Sequence, residues 1–463
     1  MFNKEVYVSR RRRLLEKITD GVILFLGNNE APCNYPDNQY LFRQDSNFLY
    51  FFGIDNPGFA AVLDAATGEE MIFGDDVDID DIIWMGPQPS VSEQAAQVGV
   101  AKSAPFASLE TYLKDAQAKG RRILFTPPYR FDNQIYLNQV LGIGFNAMKE
   151  LSSVALVKAI ASMRLQKEPC EIAEIDKACN LGYVMHRTAM EMIQLGMKEQ
   201  ELVGVMEGVC RSGGYMCSFA TILSQHGETM HNHGHEGIIT AGKLLLIDAG
   251  VEIGSHYCSD NTRTWPCSGK FTQQQKEIYS IVSAANNYAL SAARPGITYR
   301  EVHLGASRII IEGLSQLGLV HGDVDEMVAA GVQGMFMPHG LGHNMGLDVH
   351  DMEDLGENYV GYDDDQVRAA QLGLGSLRMA RSLKPGNVIT DEPGIYFIPA
   401  LIEQWKRDGH NAQFIDFGKL EAYYDFGGIR LEDDLLITGT GARLLGAQRL
   451  PITVEEVEEA MKR

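Results

Sequence analysis

Short apolar runs separated by turn residues dominate the first third of the chain. Residues 21–26 (GVILFL) form one such run and residues 122–125 form another, so each predicts a short buried strand. Residues 58–64 and 69–73 flank a tight turn and together predict a β-hairpin. Strands of this kind between helical patterns indicate a mixed sheet with helices, which is an α/β (α+β) arrangement.

A longer helical pattern begins at Pro169 and ends near Ile193, with apolar residues spaced three and four apart. A chain of 463 residues is too long for one ordinary hydrophobic core, so we expect two domains. We place the boundary just before this helix and predict domains at residues 1–161 and 162–463. The patterns that suggest chemistry lie in the second domain.

Charge and hydropathy narrow the classes of partner. The net charge of −21 repels phosphate backbones, which argues against a nucleic acid partner. No apolar run approaches the roughly 20 residues that span a bilayer, and the N-terminus lacks an apolar secretory segment, so we expect no membrane association. We interpret the four arginines at 10–13 as a solvated helix start rather than a nucleic-acid patch.

The cysteines indicate the compartment. There are seven, an odd number, and none forms a C-x-x-C pair. We therefore expect reduced thiols that fill the core rather than a disulfide framework, and this predicts a cytoplasmic protein.

Two aspartates stand at the ends of neighbouring strand patterns. Asp248 ends the apolar run LLLID, and Asp260 lies in the polar strand that follows. A hairpin through Gly254 would bring Asp260 beside Asp248. Because two carboxylates that close repel each other, they require a proton or a cation between them.

Three histidines lie in a glycine-rich stretch. His339 and His343 are four positions apart, as in a helical zinc pair, but the glycines among them make a helix improbable. We therefore predict a loop and strand that present His339, His343 and His350 at different depths.

Two glutamates and an arginine complete the pattern. Glu392 lies at a strand end and is followed by a Pro-Gly pair that fixes the chain direction. In the strand that ends near position 432, alternation puts Arg430 and Glu432 on one face.

Each motif alone is weak, since an isolated Asp in a turn is usually a cap or a solvated group. Together they form an oxygen-rich set of four carboxylates and one imidazole: Asp248, Asp260, His343, Glu392 and Glu432. Such a set suits a pair of divalent cations, with Mn²⁺ favoured and Co²⁺ or Zn²⁺ as alternatives. Two cations about 3.5–4 Å apart can polarise a carbonyl and hold a leaving group.

Several longer segments resemble one family of enzymes. They are residues 41–46 (LFRQDS), 84–86 (WMG), 336–343 (FMPHGLGH), 376–381 (SLRMAR) and 426–430 (FGGIR). The chain resembles, over nearly its whole length, the pita-bread metallopeptidases, which include prolidase, Xaa-Pro aminopeptidase, methionine aminopeptidase and creatinase. The closest likeness is to mammalian-type prolidase. The resemblance implies an N-terminal creatinase/prolidase-type α/β domain, a C-terminal pita-bread catalytic domain and a metallopeptidase that hydrolyses the Xaa-Pro bond.

The resemblance also implies roles for the five ligands. Asp248 would bind one metal ion, and His343 and Glu392 would bind the other. Asp260 and Glu432 would bridge the two ions. Glu392 would in addition carry the proton during hydrolysis.

Further positions match the family by the same resemblance. His339 and His350 would steady the carbonyl oxygen and the tetrahedral intermediate, and His231 would line the substrate pocket. Arg430 stands where the family has an arginine in the site. We interpret the neighbouring His233 and His235 as polar loop residues.

Two positions bear on substrate length and assembly. Arg378 stands where prolidase-type enzymes bind the terminal carboxylate of the substrate, and the alternative is an ion pair with the acidic stretch 363–365. Trp84 resembles a tryptophan that reaches the active site of the partner subunit, which implies a homodimer or higher oligomer. The alternative for Trp84 is a plain core residue.

The expected substrates are proline-containing dipeptides or longer peptides, and the sequence leaves open which of the two is preferred. A metal-free interaction module on the same fold is a second hypothesis, which the five filled ligand positions disfavour. Creatinase-like cleavage without metal has no use for five ligands. One extra residue lies between Asp248 and Asp260 relative to the family, and we expect a bulge at 254–256 to absorb it.

Overall fold

The structure, a computed structural model, describes residues 2–462. It divides into two compact units, which we call the N-terminal unit and the C-terminal unit. The N-terminal unit runs to Arg164 and also includes Asp354–Gly356, whereas the C-terminal unit comprises Leu165–Glu353 and the chain from Glu357 onwards. The division after Arg164 falls three residues beyond the predicted end of the first domain at residue 161.

The N-terminal unit combines helices with short strands. Its helices are α1 (Lys4–Lys17), α2 (Ser46–Phe52), α3 (Ile79–Met85), α4 (Val91–Gln97), α5 (Ser108–Ala118), α6 (Phe131–Leu141), α7 (Met148–Leu151) and α8 (Val154–Arg164), with a 3-10 helix at Phe145–Ala147. Its strands are β1 (Val22–Leu26), β2 (Ala60–Asp64), β3 (Glu70–Phe73), β4 (Ser103–Ala104) and β5 (Ile123–Leu124).

These strands form one mixed sheet in the order β4-β3-β2-β1-β5. Strand β2 pairs antiparallel with β1 and β3, whereas β4 and β5 pair parallel at the two edges. The predicted mixed sheet is therefore confirmed, and the predicted hairpin is the β2–β3 pair. Val22 and Leu24 of β1 pack with Leu109 and Leu113 of α5 in the core of this unit.

Two of the four N-terminal arginines are buried, so the expectation of a solvated helix start is wrong for them. Arg10 donates to the carbonyl oxygen of Tyr50, and its guanidinium lies 3.9 Å from the centroid of the Tyr50 ring. Arg11 donates to the carbonyl oxygen of Phe51 at 2.9 Å. Both carbonyls belong to the last turn of α2, where the helix itself supplies no donor. Arg12 is exposed, as predicted.

The C-terminal unit contains longer helices and small sheets. Its helices are α9 (Pro169–Met192), α10 (Glu199–Gly213), α11 (Gln273–Ala292), α12 (Tyr299–Gln316), α13 (Val324–Ala330), α14 (Glu357–Val360), α15 (Pro399–Asp408), α16 (Phe417–Leu420) and α17 (Val454–Ala460). Its strands are β6 (Met216–Cys217), β7 (Ile222–Ser224), β8 (Leu244–Ala249), β9 (Val251–Glu252), β10 (Asn261–Pro266), β11 (Val388–Asp391), β12 (Gly394–Tyr396), β13 (Gly428–Arg430), β14 (Asp433–Ile437) and β15 (Ala442–Leu444). Further 3-10 helices cover Val332–Met335, Leu374–Ser376 and Glu421–Tyr423, and another at Glu353–Leu355 begins in this unit and continues into the short segment that belongs to the N-terminal unit. None of the helices among residues 2–462 is both long enough and apolar enough to cross a membrane.

Antiparallel pairing organises the strands of the C-terminal unit. Strand β8 lies between β7 and β10, and β14 lies between β11 and β15. Strands β12 and β13 form a separate pair, as do β6 and β9. The long helix predicted at 169–193 is α9, which ends one residue earlier.

Close backbone contacts explain the glycines between His339 and His343. A Cβ atom on Gly342 would lie 2.1 Å from the carbonyl oxygen of Thr390, and one on Gly340 would lie 2.6 Å from Cα of Leu377. Only a residue without a side chain fits at such distances. The stretch forms no helix, as predicted, but the strand also predicted there is wrong, because the stretch makes only an isolated β-bridge between Asn344 and Ile389 of β11.

The contacts of Asp64, at the end of β2, predict that this residue stabilises the fold in a pH-dependent way. Its carboxylate accepts hydrogen bonds from Arg121 and from the N–H groups of Ala66 and Thr67. The hydrogen bond from Arg121 holds the pKa of Asp64 below its ordinary value. A carboxyl group with a depressed folded pKa stabilises the fold above its unfolded pKa, and this contribution is lost as the pH falls through the folded pKa.

We therefore expect Asp64→Asn to lower the free energy of unfolding at pH 7 by about 1–3 kcal/mol. The difference from wild type should shrink as the pH falls below about 4, which urea unfolding curves between pH 7 and pH 3 measure. Glu69→Gln is the matched control, because this carboxylate forms a more exposed pair with Lys102, and its change should stay below about 0.5 kcal/mol. An equal loss for Asp64→Asn at both pH values would contradict the electrostatic origin.

Candidate active site

The antiparallel pair β8–β10 carries the first two predicted ligands. Asp248 lies on β8 opposite Thr262 of β10, and Asp260 directly precedes β10. The predicted hairpin is confirmed, since β8 and β10 pair antiparallel. The connection between the strands contains His256, whose φ of 68° lies in the left-handed region.

The end of β11 holds His343 in position. The N–H of His343 donates to Oγ1 of Thr390 at 3.0 Å, and the N–H of Thr390 donates to the carbonyl oxygen of His343 at 2.9 Å. The N–H of Glu392 donates to the carbonyl oxygen of Leu341 at 2.8 Å. The glycine-rich loop is thereby fixed beside the strand end that carries Glu392.

The predicted ligands come together at one buried point. Nε2 of His343 lies 3.3 Å from Oδ2 of Asp260 and 3.7 Å from Oε1 of Glu392. One ligand atom each from Asp260, His343 and Glu432 lie within 4.8 Å of one another. Asp248 differs from the others, because its Oδ2 accepts a 2.5 Å hydrogen bond from Nη2 of Arg430.

Burial and mutual repulsion dominate the electrostatics of this cluster. Burial, followed by the charge of Glu432, raises the pKa of Asp260 well above its ordinary value. Burial and the charge of Glu392 raise the pKa of Glu432 in the same way. Burial raises the pKa of Glu392 to about 7. Burial, and then the neighbouring His350, lowers the pKa of His343, so its imidazole is neutral and can act as a metal ligand.

The donor set fits a divalent cation. Oδ1 of Asp248 and Oδ1 of Asp260 are buried and have no hydrogen-bond partner among the described residues, although buried polar atoms are normally satisfied. Unpaired carboxylate oxygens beside a neutral imidazole are the ligands that Mn²⁺, Co²⁺ and Zn²⁺ accept.

Arg430 neutralises part of the cluster and ties two strands together. Besides Asp248, it donates from Nε to Oγ1 of Thr262 at 3.1 Å. The Thr262 hydroxyl donates in turn to Oε2 of Glu432 at 2.6 Å. One arginine and one threonine therefore orient two of the predicted ligands.

Tyr396 connects Arg430 with His339. Its hydroxyl accepts from Nη1 of Arg430 at 2.8 Å and lies 2.8 Å from Nε2 of His339. Nδ1 of His339 lies 2.8 Å from the carbonyl oxygen of Gly340. Burial lowers the pKa of His339 to about 3, so the ring is neutral, with Nδ1–H donating to Gly340 and Nε2 accepting from Tyr396.

The other predicted histidines lie at the edge of the cluster. The rings of His350 and His343 have centroids 4.1 Å apart, and Nδ1 of His350 lies 2.6 Å from Oε2 of Glu353. His231 is in an exposed turn. Its pKa is lowered by partial burial and then by the charge of Arg430, so it lies near the same site.

Arg378 does not pair with the acidic stretch 363–365, so that alternative is wrong. Its Nε lies 3.3 Å from Oε1 of Glu357 and 3.4 Å from Oε2 of Glu353. The first residue of the acidic stretch pairs with Arg381 instead. The periodicity of the sequence does not predict which carboxylates pair with Arg378, because the course of the surrounding loops determines them.

Trp84 belongs to the N-terminal unit and lies near the end of α3. Its side chain is 86% exposed, so the alternative of a plain core residue is wrong. Ile79, Ile83 and Met85 on the same helix are also largely exposed, and no residue of α3 is buried. An exposed apolar patch of this kind is typical of a surface that another molecule covers.

Three residues that complete the site were not predicted: Thr262, Thr390 and Tyr396. The two threonines lie two positions from the predicted ligands Asp260 and Glu392. Side chains two apart on a strand share a face, so this spacing could have identified them. Tyr396 follows the Glu-Pro-Gly segment and carries no comparable signal.

A buried ion pair supports the loop that carries His343 and His350. Nζ of Lys167 lies 2.9 Å from Oδ2 of Asp351, and both side chains are 1% exposed. The N–H of Asp351 donates to the carbonyl oxygen of Asn344 at 2.9 Å. Asp351 thus closes the loop through its backbone, and Lys167 neutralises its carboxylate.

Two family models match the chain. The model described as metallopeptidase family M24 matches residues 173–439, and the model described as aminopeptidase P, N-terminal domain, matches residues 7–141. The order of the two matches agrees with an N-terminal α/β domain followed by a catalytic domain.

Curated relatives are similar over almost the whole chain. Xaa-Pro dipeptidase of Homo sapiens is 33% identical over 476 residues, which cover 98% of this chain and 93% of that protein. A probable Xaa-Pro aminopeptidase of Fusarium vanettenii is 31% identical over 422 residues, which cover 90% of this chain and 86% of that protein. The similar proteins therefore include one named as a dipeptidase and one named as an aminopeptidase.

Solved structures match the whole fold. Escherichia coli aminopeptidase P with the inhibitor Pro-Leu has a TM-score of 0.80 and 30% identity, covering 99% of this chain and 98% of that chain. Pseudomonas aeruginosa aminopeptidase PepP has a TM-score of 0.81 and 28% identity at the same coverage. These matches confirm the predicted fold class, including the C-terminal pita-bread domain, and the predicted resemblance.

Removal of the Lys167 charge should loosen the loop that carries His343 and His350. Lys167→Met removes the Lys167 ammonium from the buried ion pair with Asp351, so we expect the free energy of unfolding to fall by about 3–5 kcal/mol. We also expect divalent-metal affinity to fall about tenfold or more, because the loop carries a predicted ligand. Urea unfolding and calorimetric titration with Mn²⁺ measure the two effects.

Lys177→Met is the matched control for this prediction. Lys177 forms an i,i+3 pair with Glu174 and is largely exposed, so its removal should cost less than about 0.5 kcal/mol. An unchanged metal affinity in folded Lys167→Met protein would rule out the supporting role.

Proposed function

The chain belongs to metallopeptidase family M24, and we propose that it hydrolyses the peptide bond between an N-terminal residue and a following proline. The observation that carries this proposal is the buried cluster in which His343 meets Asp260 and Glu432 and in which carboxylate oxygens have no partner. Relatives named Xaa-Pro dipeptidase and Xaa-Pro aminopeptidase support the choice of bond.

We propose two divalent cations at this cluster. Asp248 would hold one ion, and His343 and Glu392 would hold the other. Asp260 and Glu432 would contact both ions. Divalent cations bound there supply Lewis acidity toward the scissile carbonyl. Mn²⁺ is proposed first because carboxylate oxygens outnumber the single imidazole, with Co²⁺ and Zn²⁺ as alternatives.

The bond before proline poses a particular chemical problem. It is a tertiary amide with no N–H, so a peptidase that binds this N–H loses the contact. When the bond breaks, the proline nitrogen must gain a proton. Glu392 is the proposed carrier, since a carboxylate positioned at the site can accept a proton and pass it to the leaving nitrogen.

The surrounding residues would orient the reacting groups. We propose that His339 and His350 lie near the substrate carbonyl. Tyr396 would orient the ring of His339, and Glu353 would orient the ring of His350. Arg430 would keep Asp248 in position. His231 would line the pocket.

Dipeptides are the first proposed substrates, and longer Xaa-Pro peptides are the second. Arg378 lies beside Glu353 at the edge of the cluster, and a guanidinium in this position can bind the free carboxylate of a dipeptide. The similarity to a probable Xaa-Pro aminopeptidase supports the second candidate.

Hydrolysis of Ala-Pro with and without divalent metal tests the proposed activity. We expect release of alanine with Mn²⁺, Co²⁺ or Zn²⁺, its loss with a chelator, and two metal ions per chain in the active protein. Glu392→Gln should lower kcat by about 100-fold or more, because both a ligand and the proton carrier are removed. Ala-Pro-Gly assayed in parallel separates a dipeptidase from an aminopeptidase.

The exposed Glu403 on α15 supplies the matched control, and Glu403→Gln should leave the rate within about twofold. No hydrolysis of either peptide with any divalent metal would contradict the proposed activity. That outcome would favour the metal-free interaction module. One metal ion per active chain would contradict the paired site.

We infer that a second copy of the chain covers the exposed apolar face of α3, giving a homodimer or higher oligomer. The support is the exposure of Ile79, Ile83, Trp84 and Met85 on one short helix. Light scattering should give at least twice the chain mass of 51.2 kDa. Trp84→Glu should shift the protein toward the monomer, whereas Val367→Glu, at an equally exposed position, should not. A monomeric wild-type protein would overturn this inference.

We also propose a cytosolic location. None of the seven cysteines, all of which lie within residues 2–462, forms a disulfide, which is typical of a reducing compartment. Cell fractionation tests this, and recovery in a secreted or membrane fraction would contradict it.

A further inference from the structure

One carboxylate oxygen contacts two residues with different proposed roles. Oε2 of Glu353 lies 2.6 Å from Nδ1 of His350 and 3.4 Å from Nε of Arg378. His350 in turn lies against His343, with 4.1 Å between the ring centroids. Glu353 therefore joins a histidine of the cluster to the arginine at its edge.

These side chains surround a small cavity. His343, His350, Glu353 and Arg378 are among the residues that line it, and its volume is about 10 Å³, which is room for about one water molecule. The four side chains therefore meet around one small cavity.

Two carboxylates flank Nε of the Arg378 guanidinium. Glu353 and Glu357 approach Nε at 3.4 and 3.3 Å, which makes ion pairs without a hydrogen bond. Glu357 already accepts a 2.5 Å hydrogen bond from Nη2 of Arg368. Glu353 is thus the carboxylate that contacts both Arg378 and His350 of the cluster.

We propose that Glu353 is a positioning residue that couples binding of the substrate's free carboxylate, by Arg378, to the orientation of His350 beside the reacting carbonyl. This deepens the proposed function and rests on it. Glu353 aims the terminal amino groups of Arg378, which can bind a carboxylate through two parallel N–H bonds. The same oxygen fixes the ring of His350. A free carboxylate should therefore raise kcat as well as lower KM.

The test compares Ala-Pro with Ala-Pro-NH2, which lacks the free carboxylate, in protein supplied with Mn²⁺. We call the ratio of their kcat/KM values the carboxylate advantage. Arg378→Ala should lower this advantage about tenfold or more. Glu353→Ala should lower it by a similar factor and should also reduce kcat on both substrates, because His350 loses its partner.

Two further variants distinguish the proposed coupling between Arg378 and His350 from a general loss of activity. Glu353→Gln keeps an oxygen that can accept the His350 hydrogen bond, so it should restore most of the kcat lost in Glu353→Ala. In the double variant Glu353→Ala/Arg378→Ala, the two losses of carboxylate advantage should not add, because both residues act in one contact.

The matched control is Asp363→Asn. Asp363 pairs with Arg381 at 3.0 Å, and it stands in the stretch that could have paired with Arg378 but does not. We expect this variant to keep the wild-type carboxylate advantage.

A binding measurement tests the coupling without turnover. Calorimetry should show that wild-type protein with Mn²⁺ binds proline more tightly than prolinamide, and that Glu353→Ala loses most of this preference. A preference equal to wild type in Glu353→Ala, or an equal fall in activity on both substrates, would overturn the coupling. Absence of turnover in wild-type protein would instead contradict the proposed function, and the binding preference would still decide the role of Glu353.

Discussion

Repulsion among buried carboxylates is the constraint on which the rest of the C-terminal unit depends. Asp260 and Glu432 face each other away from water, so bringing them together costs free energy unless opposite charge lies close. Arg430 compensates Asp248 directly, and His343 stays neutral. The negative charge that remains makes this point of the fold attractive to cations, and hydrolytic chemistry becomes possible there.

The frame around that cluster is built from backbone contacts that tolerate little change. The β8–β10 register places Asp248 opposite Thr262, and Gly342 lets its loop approach the backbone at Thr390. On the far side of the loop, the Lys167–Asp351 pair supplies a second, independent anchor. The proposed ligands are therefore fixed from several directions, as preorganised catalytic groups require.

Sequence patterns predicted the features that depend on neighbouring residues. They did not predict which residues far apart in the chain contact each other. Strand-end aspartates, the glycine-rich loop and the order of the two domains follow from alternation, turn residues and family likeness. The burial of Arg10 and Arg11 could not be predicted, because a run of charges does not reveal the helix end that accepts its hydrogen bonds. The partners of Arg378 were missed for the same reason. The threonines of the site were within reach of the two-residue spacing.

The pairing of Arg430 with Asp248 also bears on how the protein is made. The two residues are 182 positions apart, so a chain growing from its N-terminus carries the aspartate long before the arginine that compensates it. Contacts of such long range form late, since the loop between them must first be closed. The pocket therefore cannot be completed until the chain has been made past Glu432, and a chain that stops short of this residue lacks one of the proposed ligands. Activity at this site would thus report that two distant parts of the C-terminal unit have come together.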